Sequence, residues 1–386
     1  MIRAIYNFFS SAKLALTLLV VILANCLIGV TVFRGERAWN LIFNTLWFNG
    51  FLVLLVVNVA CCFFPRMWGR KLTLTSVGMI FFHLSFVAIL GGIIYNSLFY
   101  FRGTIRLTEG ETLPNGVPQS YDVMDHGVFF NFSKLRGETT LVKMHTGYKV
   151  DGADKRAAYE VAVGEGILKK QGIIYITKNL EYRGFRYFND KEGYSLLIIV
   201  YDKLGREIYG AHVPLQSLLQ KDESYLYTTG TRNGPGTRLF PEPPGKPLFY
   251  LQAIYRPDAI KERSGKIIFA LWSLKKEDAG DHPQPASASM TGQPSIHSGP
   301  AGGETGKEKP FAEGKARIGE KYDCGDYQLE AREVRYWVAM TVRYDPGHPI
   351  VLASLWVALA GMVITFIGRM RKIKHRSAIS DQQSAI

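Results

Sequence analysis

One histidine stands where ionisable side chains are rare. His83 lies inside the run 76–98, 23 residues without an Asp, Glu, Lys or Arg. About 20 apolar residues suffice to cross a bilayer as a helix. At ~1.5 Å rise per residue, His83 is ~10 Å from the Ser76 end and ~22 Å from the other. An ionisable group at membrane depth is costly and marks a functional position by default. An imidazole there can ligate a metal through one ring nitrogen. It can also sit neutral, bonded to a backbone carbonyl or a hydroxyl such as that of Ser85. Physics alone leaves these two readings level.

Other chemistries lack their residues. The chain has no His-Glu-x-x-His, phosphate loop, Gly-x-Ser-x-Gly or zinc-like Cys/His cluster, which argues against a hydrolase or kinase. Of four cysteines, Cys26, Cys61 and Cys62 fall in apolar runs and Cys324 stands apart. Without a Cys-x-x-Cys there is no thiol-redox motif and no covalent heme attachment site. His282 and His297 lie 15 residues apart in a polar stretch and read as solvated. A b-type heme usually takes two axial imidazoles from neighbouring helices, and no second one lies at the depth of His83. His348 precedes the last apolar run, roughly 20 Å away along the membrane normal, and His375 is in the C-terminal tail. If His83 binds heme iron, its second ligand comes from another chain or a small molecule. That disfavours a self-sufficient quinone-linked cytochrome. Asp345-Pro346-Gly347-His348-Pro349 reads as an abrupt turn into the last helix, with fixed φ at proline and relief at glycine.

Four apolar runs would form the helices around this histidine: 12–32, 44–64, 76–98 and 350–368. The first follows Arg3 and Lys13 and reads as a retained span rather than a cleaved signal peptide. Arg34, Glu36 and Arg37 make a short connection, and Pro65, Arg66, Arg70 and Lys71 a compact basic loop. Arg369, Arg371, Lys372, Lys374 and Arg376 form a basic tail, 369–386. The formal net charge is +13, but 99–349 holds 34 Lys and Arg against 31 Asp and Glu. The excess therefore sits in segments flanking apolar runs, which points to membrane topology and anionic headgroups rather than nucleic acid. The N-terminus, the 65–75 loop and the tail together carry 10 Lys and Arg, and the 33–43 connection carries 2. Both termini are expected in the cytoplasm and 99–349 outside.

The segment 99–349 reads as a mainly β, sandwich-like domain. Runs 193–201 and 207–213 flank Asp202-Lys203-Leu204-Gly205-Arg206 in a hairpin pattern. Further strand-like runs are 103–108, 159–163, 173–178, 248–255, 266–274 and 327–344, rich in β-branched and aromatic residues. Residues 279–316, rich in Ser, Gly and Pro and almost without large apolar residues before Phe311, predict a mobile surface insertion.

Three spans, a large domain and a final span resemble the ResB type of cytochrome c biogenesis protein, the smaller membrane subunit of the System II heme-attachment machinery. The likeness is carried by Ser11-Ala12-Lys13-Leu14-Ala15-Leu16 and Gly29, by Phe82-His83-Leu84-Ser85 and Leu90-Gly91-Gly92, by Arg102-Gly103-Thr104-Ile105-Arg106-Leu107-Thr108-Glu109-Gly110-Glu111, and by Asp345-Pro346-Gly347. It covers the whole architecture, though its specific motifs lie mostly in 11–16, 79–111 and 345–368. The 279–316 insertion departs from the family pattern.

The resemblance implies a bacterial cytoplasmic (inner) membrane protein, not itself an enzyme, that helps pass heme across the membrane for attachment to apocytochrome c. It makes His83 the axial ligand of a transient heme b. It implies as partners a ResC or CcsA-type subunit bearing a tryptophan-rich heme-binding segment, the apocytochrome c, and a thioredoxin-like thiol reductant. The six tryptophans here form no such cluster, so that subunit is not fused to this chain. The rival reading is a membrane-anchored β-sandwich scaffold or assembly factor in which His83 is a packed polar residue.

Overall fold

The computed structural model describes residues 2–33, 38–67, 72–155, 157–166, 169–219, 225–231, 234–242, 245–258, 261, 263–274 and 309–383. Two compact units emerge. One comprises Met1–Arg102, Asp125–Asn131 and Arg343–Ile386, and the other Gly103–Met124 and Phe132–Val342.

The first unit is helical. Its helices are α1 (Ile2–Phe9), α2 (Ala12–Ile28, prolonged by a wider π turn Gly29–Phe33), α3 (Leu46–Met67), α4 (Leu74–Phe99) and α5 (His348–Gln383). Four stretches are long and apolar enough to cross a membrane: Ala12–Phe33, Leu46–Phe63, Leu74–Phe99 and His348–Lys372. Their outward faces carry bare apolar side chains, such as Leu16, Trp356 and Phe366. Water would penalise such faces and lipid does not, so this is a membrane protein with four spans. The helix α3 runs through Pro65 to Met67, into the segment expected as loop, while residues 68–71 lie outside the described residues.

Two seams hold the bundle. Leu18 of α2, Phe48, Leu52 and Leu55 of α3, and Leu90 of α4 form one apolar cluster with Ile42. Beside it, the fully buried Asn58 donates to the carbonyls of Phe9 (2.7 Å) and Ser11 (3.1 Å). It thereby satisfies backbone acceptors released where the chain breaks between α1 and α2. The other seam joins α4 to α5 through small residues seven apart: Gly78, Ser85 and Gly92 against Gly347, Ser354, Gly361 and Gly368. A Cβ on Gly78 would lie 2.4 Å from Thr365 Oγ1 and 2.7 Å from the Gly361 carbonyl, and one on Gly347 would lie 2.0 Å from the Gly92 carbonyl. Ser85 and Ser354 are buried. In lipid no hydrophobic drive pushes helices together, so backbone approach of this kind supplies the packing contacts. A strict seven-residue repeat keeps such a seam on one face along the whole pair.

The second unit is built of strands. A seven-stranded sheet runs in the order Glu207–Pro214, Phe185–Asp202, Tyr327–Tyr344, Phe101–Thr108, Tyr121–His126, with two short strands paired to its long members. A six-stranded sheet runs Gln216–Leu219, Tyr225–Thr228, Phe249–Pro257, Gly265–Trp272, Ala312–Arg317, with Arg238–Phe240 paired to Phe249–Pro257 as its sixth strand. Alternate residues of both fill one core: Leu196, Ile198, Val200, Leu329 and Ala331 from the first, and Leu251, Ala253, Tyr255, Ile267, Phe269 and Leu271 from the second. That is the period-two signature of a sandwich. A four-stranded sheet (Thr112–Pro114, Glu138–Thr146, Ala157–Gly164, Lys170–Ile174) completes the unit's larger sheets.

The hairpin expected at 193–213 forms, with Ser195 opposite Pro214 and Val200 opposite Tyr209. Two expectations need correction, one of a strand and one of an insertion. The run 173–178 is a strand only to Ile174, because Tyr175 and Lys178 exchange backbone hydrogen bonds (3.0 and 2.8 Å) and close a turn. The end of the 279–316 segment is not an insertion, since Ala312–Arg317 pairs along Gly265–Trp272, from Leu271↔Ala312 to Lys266↔Arg317. Small residues suit that edge: Ala316 is buried, and Gly314 lies so close to Tyr322 that a Cβ would meet the ring at 2.0 Å. Residues 279–308 lie outside the described residues.

Candidate functional site

His83 is half-buried on α4, nine residues from its first residue Leu74. Its Nδ1 lies 2.9 Å from the carbonyl oxygen of Met79, one turn earlier. A carbonyl can only accept, so the neutral ring carries its proton on Nδ1. The lone pair is thereby left on Nε2, the arrangement in which metal-binding imidazoles are usually held. Ser85 is not the partner considered above. Its hydroxyl donates to the Phe82 carbonyl at 2.8 Å, and its side chain belongs to the α4–α5 seam.

Two aromatic rings frame the imidazole. Phe63 of α3 stacks on one face, with centroids 3.8 Å apart and planes 6° apart. Phe82 meets it edge-on at 5.5 Å and 83°. The α3–α4 register explains the first contact. Fourteen residues along each helix in opposite directions, Asn49 Nδ2 donates to Ser97 Oγ at 2.9 Å, so the two helices run antiparallel past each other with Phe63 level with His83. Helical spacing alone selects Met79, Ile80, Phe86, Val87 and Leu90 as the face of His83. Of these, Phe86 and Leu90 are engaged in the α2–α3–α4 cluster, whereas Phe81, Phe82 and Leu84 are exposed. Sequence reasoning missed Phe63 and Phe82. The first was reachable only by pairing α3 with α4 across their short connection, with Asn49 and Ser97 as a second matched pair.

No second imidazole reaches His83 among the described residues. His348 is the first residue of α5, and the preceding Gly347 packs against Gly92. His348 is therefore level with a point nine residues, ~14 Å, along α4 from His83. That is less than the sequence-based distance and still too far to share one iron. Among the described residues no group of three or more His, Cys, Asp or Glu side chains could hold a metal ion. Nε2 of His83 is thus a lone imidazole ligand atom among the described residues.

At the C-terminal end of α4 a polar chain runs from Asn49 through Ser97 and Asn44 to Tyr100 and Asp125. Asn44 Nδ2 donates to Tyr100 Oη at 2.8 Å, and Tyr100 Oη donates to Asp125 Oδ1 at 2.6 Å. Burial and the Asp125 carboxylate push the Tyr100 phenol well above its usual range, which keeps it a donor. In the strand unit, Thr108-Glu109-Gly110-Glu111 is a turn. Gly110 adopts φ +84°, and Glu111 Oε2 accepts from the Thr108 N–H at 2.7 Å. Glu109, 7% exposed, accepts from the Met144 N–H at 3.0 Å and pairs with Arg263 at 2.9 Å. Those bonds give the motif a structural role, as the tie between strands distant in sequence.

No curated protein matches the chain. Residues 67–138, about a fifth of its length, match the model of the ResB-like family. That stretch carries His83, the turn 108–111 and the start of the strand unit, and the match is consistent with a ResB-type cytochrome c biogenesis protein.

Proposed function

We propose that this chain is the smaller membrane subunit of a System II heme-attachment machinery, and that His83 is an axial ligand to heme on its way across the membrane. The observation that carries the reading is the bond from His83 Nδ1 to the Met79 carbonyl, which leaves Nε2 as a donor held at membrane depth. Both termini lie in the cytoplasm of a bacterial inner-membrane protein, and residues 99–349 lie outside. The second axial ligand comes from a ResC or CcsA-type partner or a small molecule. The strand domain meets that partner or the apocytochrome c, and a thioredoxin-like thiol reductant is a further partner. The chain performs no thioether chemistry itself.

Replacing His83 by Ala removes the ligand and keeps a good helix former in the span. The complex should assemble with its partner, hold less heme and mature less cytochrome c, and added imidazole should restore part of both. His83→Tyr should retain heme with a shifted spectrum, since phenolate can ligate iron. A second reading, the membrane-anchored scaffold, draws on the Phe63 stack, which packs the imidazole as well as orienting it. It expects poorer assembly of His83→Ala, normal heme per assembled complex and no response to imidazole. That outcome would overturn the heme-ligand reading.

A further inference from the structure

The loop 127–131 belongs to the helical unit although strands precede and follow it. The Gly127 N–H donates to the Tyr100 carbonyl and the Phe129 N–H to the Leu98 carbonyl, both at 2.9 Å. Gly127 sits so tightly on the end of α4 that a Cβ would lie 2.4 Å from Leu98 C and O and 2.7 Å from Phe99 N. The loop is therefore fastened to the last turn of a spanning helix. The apolar span Leu74–Phe99 ends one residue beyond Leu98, so the loop is bonded to the very end of the span.

The side chains divide at this end of the span. Phe130, 8% exposed, stacks on Phe101 at 4.9 Å and lies 6.1 Å from Tyr344, which fixes the loop from within. Val128 and Phe129 face away, 64% and 59% exposed. An aromatic ladder runs from the helix onto the loop: Tyr95 to Phe99 at 4.9 Å, then Phe99 to Phe129 at 5.9 Å. Residues 127–131 include no ionisable side chain, so no charge on the loop resists partition into the interface, where aromatic rings are enriched.

We infer that loop 127–131 is a membrane-inserted element, with Val128 and Phe129 seated in the lipid at the C-terminal end of α4. The occupant of this apolar surface is lipid, because the loop continues the lipid-facing surface of α4 at the depth of the helix's last turn. The inference does not depend on heme.

The test uses the full-length chain alone in liposomes of phosphatidylethanolamine and phosphatidylglycerol. Nitroxides are placed at V128C and F129C, with Cys26, Cys61, Cys62 and Cys324 replaced by Ala. The control is L204C, 77% exposed in the 202–206 turn. The ratio of oxygen to nickel-chelate collision rates should be several-fold higher at 128 and 129 than at 204. Equal ratios would overturn the inference, and would be the result if this surface awaits a protein partner instead. A second measurement keeps the native cysteines. A diazirine-bearing phospholipid should photolabel the peptide containing 127–131, and Gly127→Val, which forces the loop off the helix end, should lose that label while α5 keeps its own. Absence of label on the wild-type loop beside labelled helices would overturn it as well.

Discussion

The ring of Phe63 lies parallel to the imidazole of His83, 3.8 Å away and 6° from coplanar. One helix thus fixes the plane of a side chain whose proton position is set by the other, through Met79. Aromatic pairs contribute about 0.5–1.5 kcal/mol beyond area burial, which corresponds to a few-fold to tenfold change in an equilibrium constant. Phe63→Leu keeps an apolar side chain of smaller volume and loses the plane. Under the heme-ligand reading it should weaken heme binding by roughly that factor in absorbance titrations of the purified complex, and Phe63→Tyr should not. Equal heme affinity in Phe63→Leu and wild type would show that the stack does not orient the ligand.

The α4–α5 seam makes a sharper demand. Neither Gly78 nor Gly361 has room for a methyl group: their Cβ atoms would come within 2.4 Å of Thr365 Oγ1 and 2.8 Å of the Gly78 carbonyl, respectively. A Cβ on Gly91 would meet nothing within 4 Å. Overpacking typically costs about 1–3 kcal/mol. Gly78→Ala and Gly361→Ala should therefore lower the thermal midpoint of the detergent-solubilised protein, followed by size exclusion after heating. Gly91→Ala, in the same helix, should match wild type. Equal behaviour of all three would mean that the helices are not in backbone contact there.

Much of this architecture was legible in the sequence because long apolar runs and period-two alternation are local signals. The four spans and the strands around the 193–213 hairpin come from such runs, and the strand Tyr327–Tyr344 was read to its ends. The segment 312–317 was misread because its strand faces are small rather than absent. Ala312, Gly314 and Ala316 look like linker composition until Tyr322 is placed against them. At the site, His83 was conspicuous from its own helix. Phe63 was invisible because its relation to His83 is a register between helices, and the Gly and Ser repeat of α4 and α5 is split across some 250 residues of chain.

The connection between Trp272 and Ala312 should tolerate shortening. Its two ends are held by the antiparallel ladder from Leu271↔Ala312 to Lys266↔Arg317, with the Phe311 N–H also bonded to the Leu271 carbonyl at 2.8 Å. Closure entropy changes by only about 0.6 kcal/mol for each doubling of loop length. Deleting 281–310 should leave expression and complex formation near wild type on quantitative blots and co-purification. Collapse of either would show that the deleted residues dock on a partner or on the sheet.

The proposed orientation rests on basic side chains at the helix ends, including Arg369, Arg371 and Lys372 at the end of the fourth span. A phosphatase reporter fused after Leu98 should be active as an exported enzyme, and one at the C-terminus should be silent. The reverse pattern would invert the proposed direction of heme movement.

His212 sets a pH limit on the strand unit. It lies in the strand Glu207–Pro214, with Nδ1 buried without a hydrogen-bond partner among the described residues and Nε2 3.7 Å from Glu333 Oε1. Burial, then the Arg335 guanidinium, lowers its pKa, against the opposing pull of Glu333 and Glu111. A histidine whose folded pKa is depressed binds fewer protons folded than unfolded, so protonation favours the unfolded chain. Its contribution is complete above the unfolded value, about 6.5, and stability is lost as pH falls from there toward the lowered folded value. Glu192 works the other way, since burial raises its carboxyl and the folded state then gains as pH falls. The comparison must therefore be made within one background. Denaturant unfolding of the full chain in detergent, followed by tryptophan fluorescence from pH 8 to 5, should show stability falling more steeply in wild type than in His212→Gln. Parallel curves would mean that His212 takes up its proton in the folded domain as readily as in the unfolded chain.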